Sequence, residues 1–78
     1  MTQTIAFELR GEHIALDALL KATGLAPSGG YARQLIVNGE VRVDGEVELR
    51  KTAKIRAGRV VQLGEASVRV SAPAASAS

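Results

Sequence analysis

The segment from Ser28 to Gly39 constrains this chain more than any other, because both ends of a helix are written into it. Pro27 biases Ala26 toward extended backbone, and the Ser28 hydroxyl can accept from the first free amides. Gly39 suits the left-handed residue that follows a last helical turn. Between them Ala32, Leu35 and Ile36 recur at helical spacing and give one core-facing stripe, with Arg33 and Gln34 turned away. The pair Gly29-Gly30 in the first turn is unusual, since glycine costs about 1 kcal/mol relative to alanine inside a helix. It leaves the first-turn amides uncovered at the positive end of the helix dipole, where an anion such as phosphate can approach closely. A flexible turn leading into a helix would use the same two glycines, and local sequence leaves both readings open.

The flanking segments follow different periods. Thr4 to Leu9 alternates, with Ile5, Phe7 and Leu9 on one side, and reads as a strand ended by the turn Arg10-Gly11-Glu12. From His13 to Thr23 the positions Ile14, Ala15, Ala18, Leu19 and Ala22, widened by Leu16 and Leu20, predict an amphipathic helix. Asp17 and Lys21 stand four apart on its outer face, and Gly24 ends it. Only Leu25-Ala26-Pro27 separates this helix from the next, so the two should pack as neighbours at a steep angle.

After Gly39 the period becomes two. Val41 and Val43 precede Asp44-Gly45, a hairpin signal, and Val47 and Leu49 follow. A two-residue loop would set Arg42 opposite Val47 and mix apolar with charged groups on both faces. A three-residue loop with Gly45 left-handed would pair Val41 with Val47 and Arg42 with Glu46, and is the form expected. Next comes a basic segment with Ile55 as its apolar anchor. Strands follow at Arg59–Leu63 and Ala66–Val70, joined by the turn Gly64-Glu65. The fold class predicted is α+β: two short packed helices followed by a small, mostly antiparallel sheet of four to five strands. Residues 1–70 form one domain in this reading, and 71–78, made only of Ser, Ala and Pro, form a disordered tail.

A chain of 78 residues buries only about 60% of its unfolded surface, and without cysteine it gains nothing from disulfides or thiolate-bound metal. The net charge of +2 is modest, but its distribution is not. Arg50, Lys51, Lys54, Arg56 and Arg59 fall in one run with no acid among them, just after Glu40, Asp44, Glu46 and Glu48. His13 is the sole histidine and no acid or serine has a partnered base in its context, so an enzyme, a metal site and a cofactor are not expected. No apolar run is long enough for a membrane span and no signal-like start is present, which points to a cytoplasmic protein, taken as a monomer.

The order of these features resembles the αL-motif RNA-binding domain named after small-subunit ribosomal protein S-four. The residues that carry the likeness are Leu16-Asp17-x-Leu19-Leu20, Gly24-Leu25-Ala26, Ser28, Ala32-Arg33, Ile36, Gly39-x-Val41-x-Val43-Asp44-Gly45, Lys54-Ile55 and Gly58-x-Val60, across roughly residues 13–63. Val43-Asp44-Gly45-Glu46-Val47-Glu48-x-Arg50-Lys51-x-x-Lys54-Ile55 is similar to the small stand-alone bacterial YbcJ-like members. Two departures from the wider family stand out: Gly29 where an arginine is common, and Gly58-Arg59 in place of Gly-Asp. The first puts more weight on backbone amides and Arg33, and the second adds a positive charge beside the basic loop.

The resemblance implies that structured RNA, such as ribosomal RNA or tRNA, lies across the second helix and the hairpin. Carried onto this chain, the contacting residues would be Ser28, Gly29, Gly30 and Arg33 at the helix start, then Arg50, Lys51 and Lys54 in the loop. Arg42, Arg56 and Arg59 are second in rank. Arg42 could instead pair across the hairpin with Glu46, and Arg33 could simply solvate its helix face. Tyr31 is expected to pack on the first helix, so recognition should rest on backbone and shape. A protein-interaction module that docks the same loop on an acidic partner is the alternative. Duplex DNA is a weaker one, since the helix offers only Arg33 and Gln34 as base readers.

Overall fold

A computed structural model describes residues 3–73. Its elements in chain order are β1 (Gln3–Glu8), β2 (Ile14–Ala15), α1 (Leu16–Ala22), α2 (Gly29–Val37), β3 (Val41–Val43), β4 (Glu46–Val47), β5 (Lys54–Ile55), β6 (Val60–Leu63) and β7 (Ala66–Ser71). Five strands form one sheet in the order β1-β7-β6-β3-β4, while β2 and β5 form a separate two-stranded ribbon. Among the described residues only β1 and β7 run parallel; the other pairs are antiparallel. Two helices against a mixed five-stranded sheet agree with the α+β class expected from sequence.

The helices cover one sheet face. Leu16, Leu19 and Leu20 of α1, Ala32 and Ile36 of α2, and Val41, Val61 and Val68 of the sheet are fully buried together. Each large side chain of this set contributes roughly 1.5–3 kcal/mol through removal of apolar surface from water. Buried residues alternate with exposed ones along β3 and β7, so the sheet's other face is open to solvent. Both helices end on a left-handed glycine, Gly24 at φ +80° and Gly39 at φ +78°.

Four local expectations are corrected. The first helix starts at Leu16, three residues later than its apolar spacing suggests, because Ile14 and Ala15 pair with Ile55 and Lys54 instead. Its inward stripe is Leu16, Leu19 and Leu20; Ala18 and Ala22 are exposed. In the hairpin Arg42 faces Val47 and Val43 faces Glu46, the two-residue loop rather than the bulged form. Asp44 takes φ +53° and Gly45 φ +88°, a primed turn whose twist matches the strands it joins. Mixing apolar with charged groups costs little there, since β4 is a short edge strand with both residues exposed. Finally, Ser71 belongs to β7: it sits opposite Glu8, and its carbonyl accepts from the Leu9 amide at 2.9 Å. Residues 74–78 of the expected tail lie outside the described residues.

Candidate nucleic-acid interface

The start of α2 is built as its sequence suggests. Ser28 is extended and its Oγ accepts from the Tyr31 amide at 3.1 Å, while the Ser28 carbonyl accepts from the Ala32 amide at 3.0 Å. Gly29 and Gly30 are helical, so they are not a loose turn before the helix. Their amides are first-turn donors that no intrahelical carbonyl can reach. The absence of a side chain at Gly29 also has a use: a Cβ there would come within 3.3 Å of Arg33 Nη1. The Arg33 guanidinium therefore folds back over the glycine turn and reaches Asp17 Oδ2 at 3.2 Å.

Asp17 links this helix start to the basic loop. Its own amide donates to the Lys51 carbonyl at 3.1 Å, and the neighbouring Leu16 amide donates to the Ala53 carbonyl at 2.9 Å. The N-cap residue Ala15 has no side-chain acceptor, so the loop's main chain receives the Leu16 and Asp17 amides, while Asp17 Oδ1 accepts from the Ala18 amide at 2.9 Å. The chain Gly29, Arg33, Asp17, Lys51 is thus continuous, and the loop lies beside the start of α2. The Asp17–Lys21 pair expected on the outer face gives way to this longer-range partner, because Arg33 crosses from the neighbouring helix. Asp17 shows 14% of its side chain to solvent and Arg33 48%, so the carboxylate is the covered partner and the guanidinium presents its remaining donors outward.

The loop itself turns at Arg50, whose carbonyl accepts from the Ala53 amide at 3.3 Å. Arg50 Nε and Nη2 grip both oxygens of Glu48, at 3.1 and 3.2 Å. That grip, with the Arg50 amide on the same carboxylate, holds the Glu48 carboxyl below its ordinary range. Arg59 makes the analogous pair with Asp44, Nη1 to Oδ2 at 2.6 Å, and the Val60 amide donates to Oδ1 at 3.0 Å. The Arg59 hydrogen bond first, then the Val60 amide, lowers the Asp44 carboxyl. The run is therefore not free of counter-acids in space: Asp44 and Glu48 return to it from the hairpin. Arg59, read from sequence as an added charge, anchors the turn.

The remaining cations differ. Lys51, Lys54 and Arg56 are exposed and form no ion pair among the described residues. Lys54 and Arg56 flank the buried Ile55, so both turn outward on one side of the chain. Arg50, Lys54 and Arg59 line a cleft of about 190 Å³ between hairpin and loop, together with Glu46 and Glu48. Arg42 stands apart. Its neighbours Val41 and Val43 turn toward the helices, so it points to the open sheet face beside Gln62. It donates to the Gly45 carbonyl at 3.4 Å and makes no pair with Glu46, because the two-residue turn puts Val47 opposite it. Tyr31 is 53% exposed instead of packed on α1, and two residues from Arg33 it occupies the other flank of α2.

The sequence displays the cations as a charge run but does not pair them with the acids on which Arg33, Arg50 and Arg59 rest. Glu48-x-Arg50 is legible in principle, since residues two apart share a side of an extended chain. Asp17–Arg33 and Asp44–Arg59 join residues 16 and 15 positions apart and leave no local signal.

Comparison with known proteins places this arrangement. A family model described as the S4 domain matches residues 7–71. YbcJ of Escherichia coli (strain K12) is 47% identical over 58 residues, which span 74% of this chain and 83% of that protein. The solution structure of Escherichia coli YbcJ, described as revealing an αL motif involved in RNA-binding, matches with a TM-score of 0.69 at 42% identity and 91% coverage of each chain. The small ribosomal subunit protein uS4 of Clavibacter michiganensis subsp. michiganensis (strain NCPPB 382) is 38% identical over 48 residues, 62% of this chain and 23% of that protein.

Proposed function

The chain belongs to the S4-domain family, and from that membership and the geometry of its basic loop we propose that it is an RNA-binding module for structured RNA. The observation that carries this reading is the continuity of the surface. Main-chain hydrogen bonds hold the loop that bears Lys51 and Lys54 against α1, and Asp17 ties that loop to Arg33 at the start of α2. Ser28, Gly29, Gly30 and Arg33 form one end of the docking surface, Arg50, Lys51 and Lys54 the other, and Arg56 extends it. Arg59 acts by fixing the hairpin, and Arg42 serves the opposite face.

A phosphate chain laid along this surface meets unpaired ammonium groups, outward donors of Arg33, and two glycines over which the backbone can approach. No metal or cofactor enters the reading. Folded ribosomal RNA or tRNA in the cytoplasm is the ligand class that fits, with the protein acting as a monomer. DNA fits less well, because the exposed positions of α2 offer few base readers.

Fluorescence anisotropy of a labelled RNA hairpin, competed by unlabelled RNA or duplex DNA of equal length, tests the proposal. RNA should displace the probe at lower concentration than DNA, and Lys51→Glu with Lys54→Glu should weaken every folded RNA to a similar extent. Equal competition by DNA, or unchanged affinity in the double variant, would refute it.

A further inference from the structure

The cleft between the hairpin and the basic loop mixes acids with cations, unlike the outward face of the loop. Two carboxylates, Glu46 and Glu48, line it beside Arg50, Lys54 and Arg59. Glu48 is held by Arg50, but the Glu46 carboxylate makes no hydrogen bond or ion pair among the described residues. A phosphate entering here would meet a bare like charge, while better phosphate positions exist outside at Lys51 and Arg56. A group that brings hydrogen-bond donors would meet a ready acceptor.

The walls narrow the choice further. Arg50 is clamped by two parallel bonds to Glu48, and Arg59 is fixed by Asp44, so two planar guanidinium groups stand at the cleft in set orientations. Guanidinium planes stack on unpaired bases, a role usually shared with aromatic rings that this chain nearly lacks. The volume of about 190 Å³ suits one flat ring system, since a cavity of about 150 Å³ already holds a benzene.

We infer that this cleft receives a single unpaired base of a folded RNA, stacked against Arg50 or Arg59, with its amino edge read by Glu46. The inference rests on the RNA-binding reading and names its substrate class: structured RNA that extrudes a base beside a helix. Guanine fits best, because its N1–H and N2–H groups can donate side by side to one carboxylate. Uracil carries no amino group and should be disfavoured. Lys54 is left for the flanking phosphate.

Three RNA hairpins of identical stem, one fully paired, one with a single bulged guanine and one with a bulged uracil, decide the matter by titration against the wild type and Glu46→Gln. The bulged guanine should bind about tenfold tighter than the other two, the usual worth of a good bidentate base contact. In E46Q that preference should collapse while the fully paired hairpin keeps its affinity or gains slightly from the lost negative charge. Glu46 is exposed on a two-residue edge strand, so the variant retains the fold, as an amide NMR spectrum would register. Binding of all three hairpins within twofold, or a preference that survives in E46Q, would overturn the base cleft and leave RNA binding standing. Failure to bind any of them would remove both.

Discussion

The division of the candidate cations into paired and unpaired sets gives a measurable salt signature. Arg33, Arg50 and Arg59 each sit on a carboxylate, at 3.2, 3.1 and 2.6 Å, whereas Lys51, Lys54 and Arg56 have no such partner among the described residues. A cation already neutralised by its own acid adds little net charge for a phosphate to match. An unpaired one lets a bound counterion leave the RNA. Three such groups on a duplex stem give a slope of log affinity against log salt of about −2.7, a loss of roughly 40-fold between about 50 and 200 mM. Replacing Lys51, Lys54 or Arg56 singly by glutamine should make the slope shallower by about 0.9, and replacing all three should bring it near zero. The charge-neutral double variant Glu48→Gln, Arg50→Gln should leave the slope unchanged, although it removes one of the arginines. Anisotropy titrations of one RNA hairpin at five or so salt concentrations supply every slope. The reasoning fails if the triple variant keeps the wild-type slope, or if the neutral double variant loses as much slope as a single lysine.

Two further outcomes test how the surface is held. Gly29→Ala should raise stability by roughly 0.4–1 kcal/mol, because the residue is helical and its φ is compatible with alanine, and a urea titration reads that gain. The same methyl, 3.3 Å from Arg33 Nη1, should displace the guanidinium and weaken RNA binding, so stability and affinity move in opposite directions. The Asp44 carboxyl is lowered in the fold by Arg59 and the Val60 amide, so its contribution is complete above the unfolded value of about 3.9 and is lost as pH falls through the lower folded value. Acid titration of the Asp44, Gly45 and Val60 amides by NMR should show one transition with a midpoint below the ordinary aspartate range, absent in Asp44→Asn.

Much of the architecture is local and was therefore legible. The bounds of α2 rest on Ser28 and Gly39, and the β6–β7 hairpin on alternation around Gly64-Glu65, so neither needs knowledge of distant partners. The failures share one cause, pairing between segments far apart in the chain. Ile14 and Ala15 fit a helical stripe as well as a strand, and only Lys54 and Ile55 decide between them. A bulged hairpin sorts polar from apolar groups, which is all that local sequence can weigh. The two-residue turn instead holds Asp44 on Arg59 and Val60, at the far end of the basic run. The same holds at the interface: loop charge is visible in the sequence, but the acids that hold Arg33 and Arg59, 16 and 15 positions away, are not.

The bonds from Leu16 and Asp17 to the carbonyls of Ala53 and Lys51 have an effect beyond capping a short helix. They fix the path of the loop through main-chain atoms, with Ala53 and Ile55 buried beneath it, so its course is indifferent to the exposed side chains at positions 51, 54 and 56. Ordering a free loop of this kind on a ligand would cost about 1–2 kcal/mol per residue, and here that cost is met when the protein folds. Positions 51, 54 and 56 can then exchange charge, length or polarity without altering the frame beneath them, which makes this loop a cassette on which the choice of ligand can be rewritten one side chain at a time.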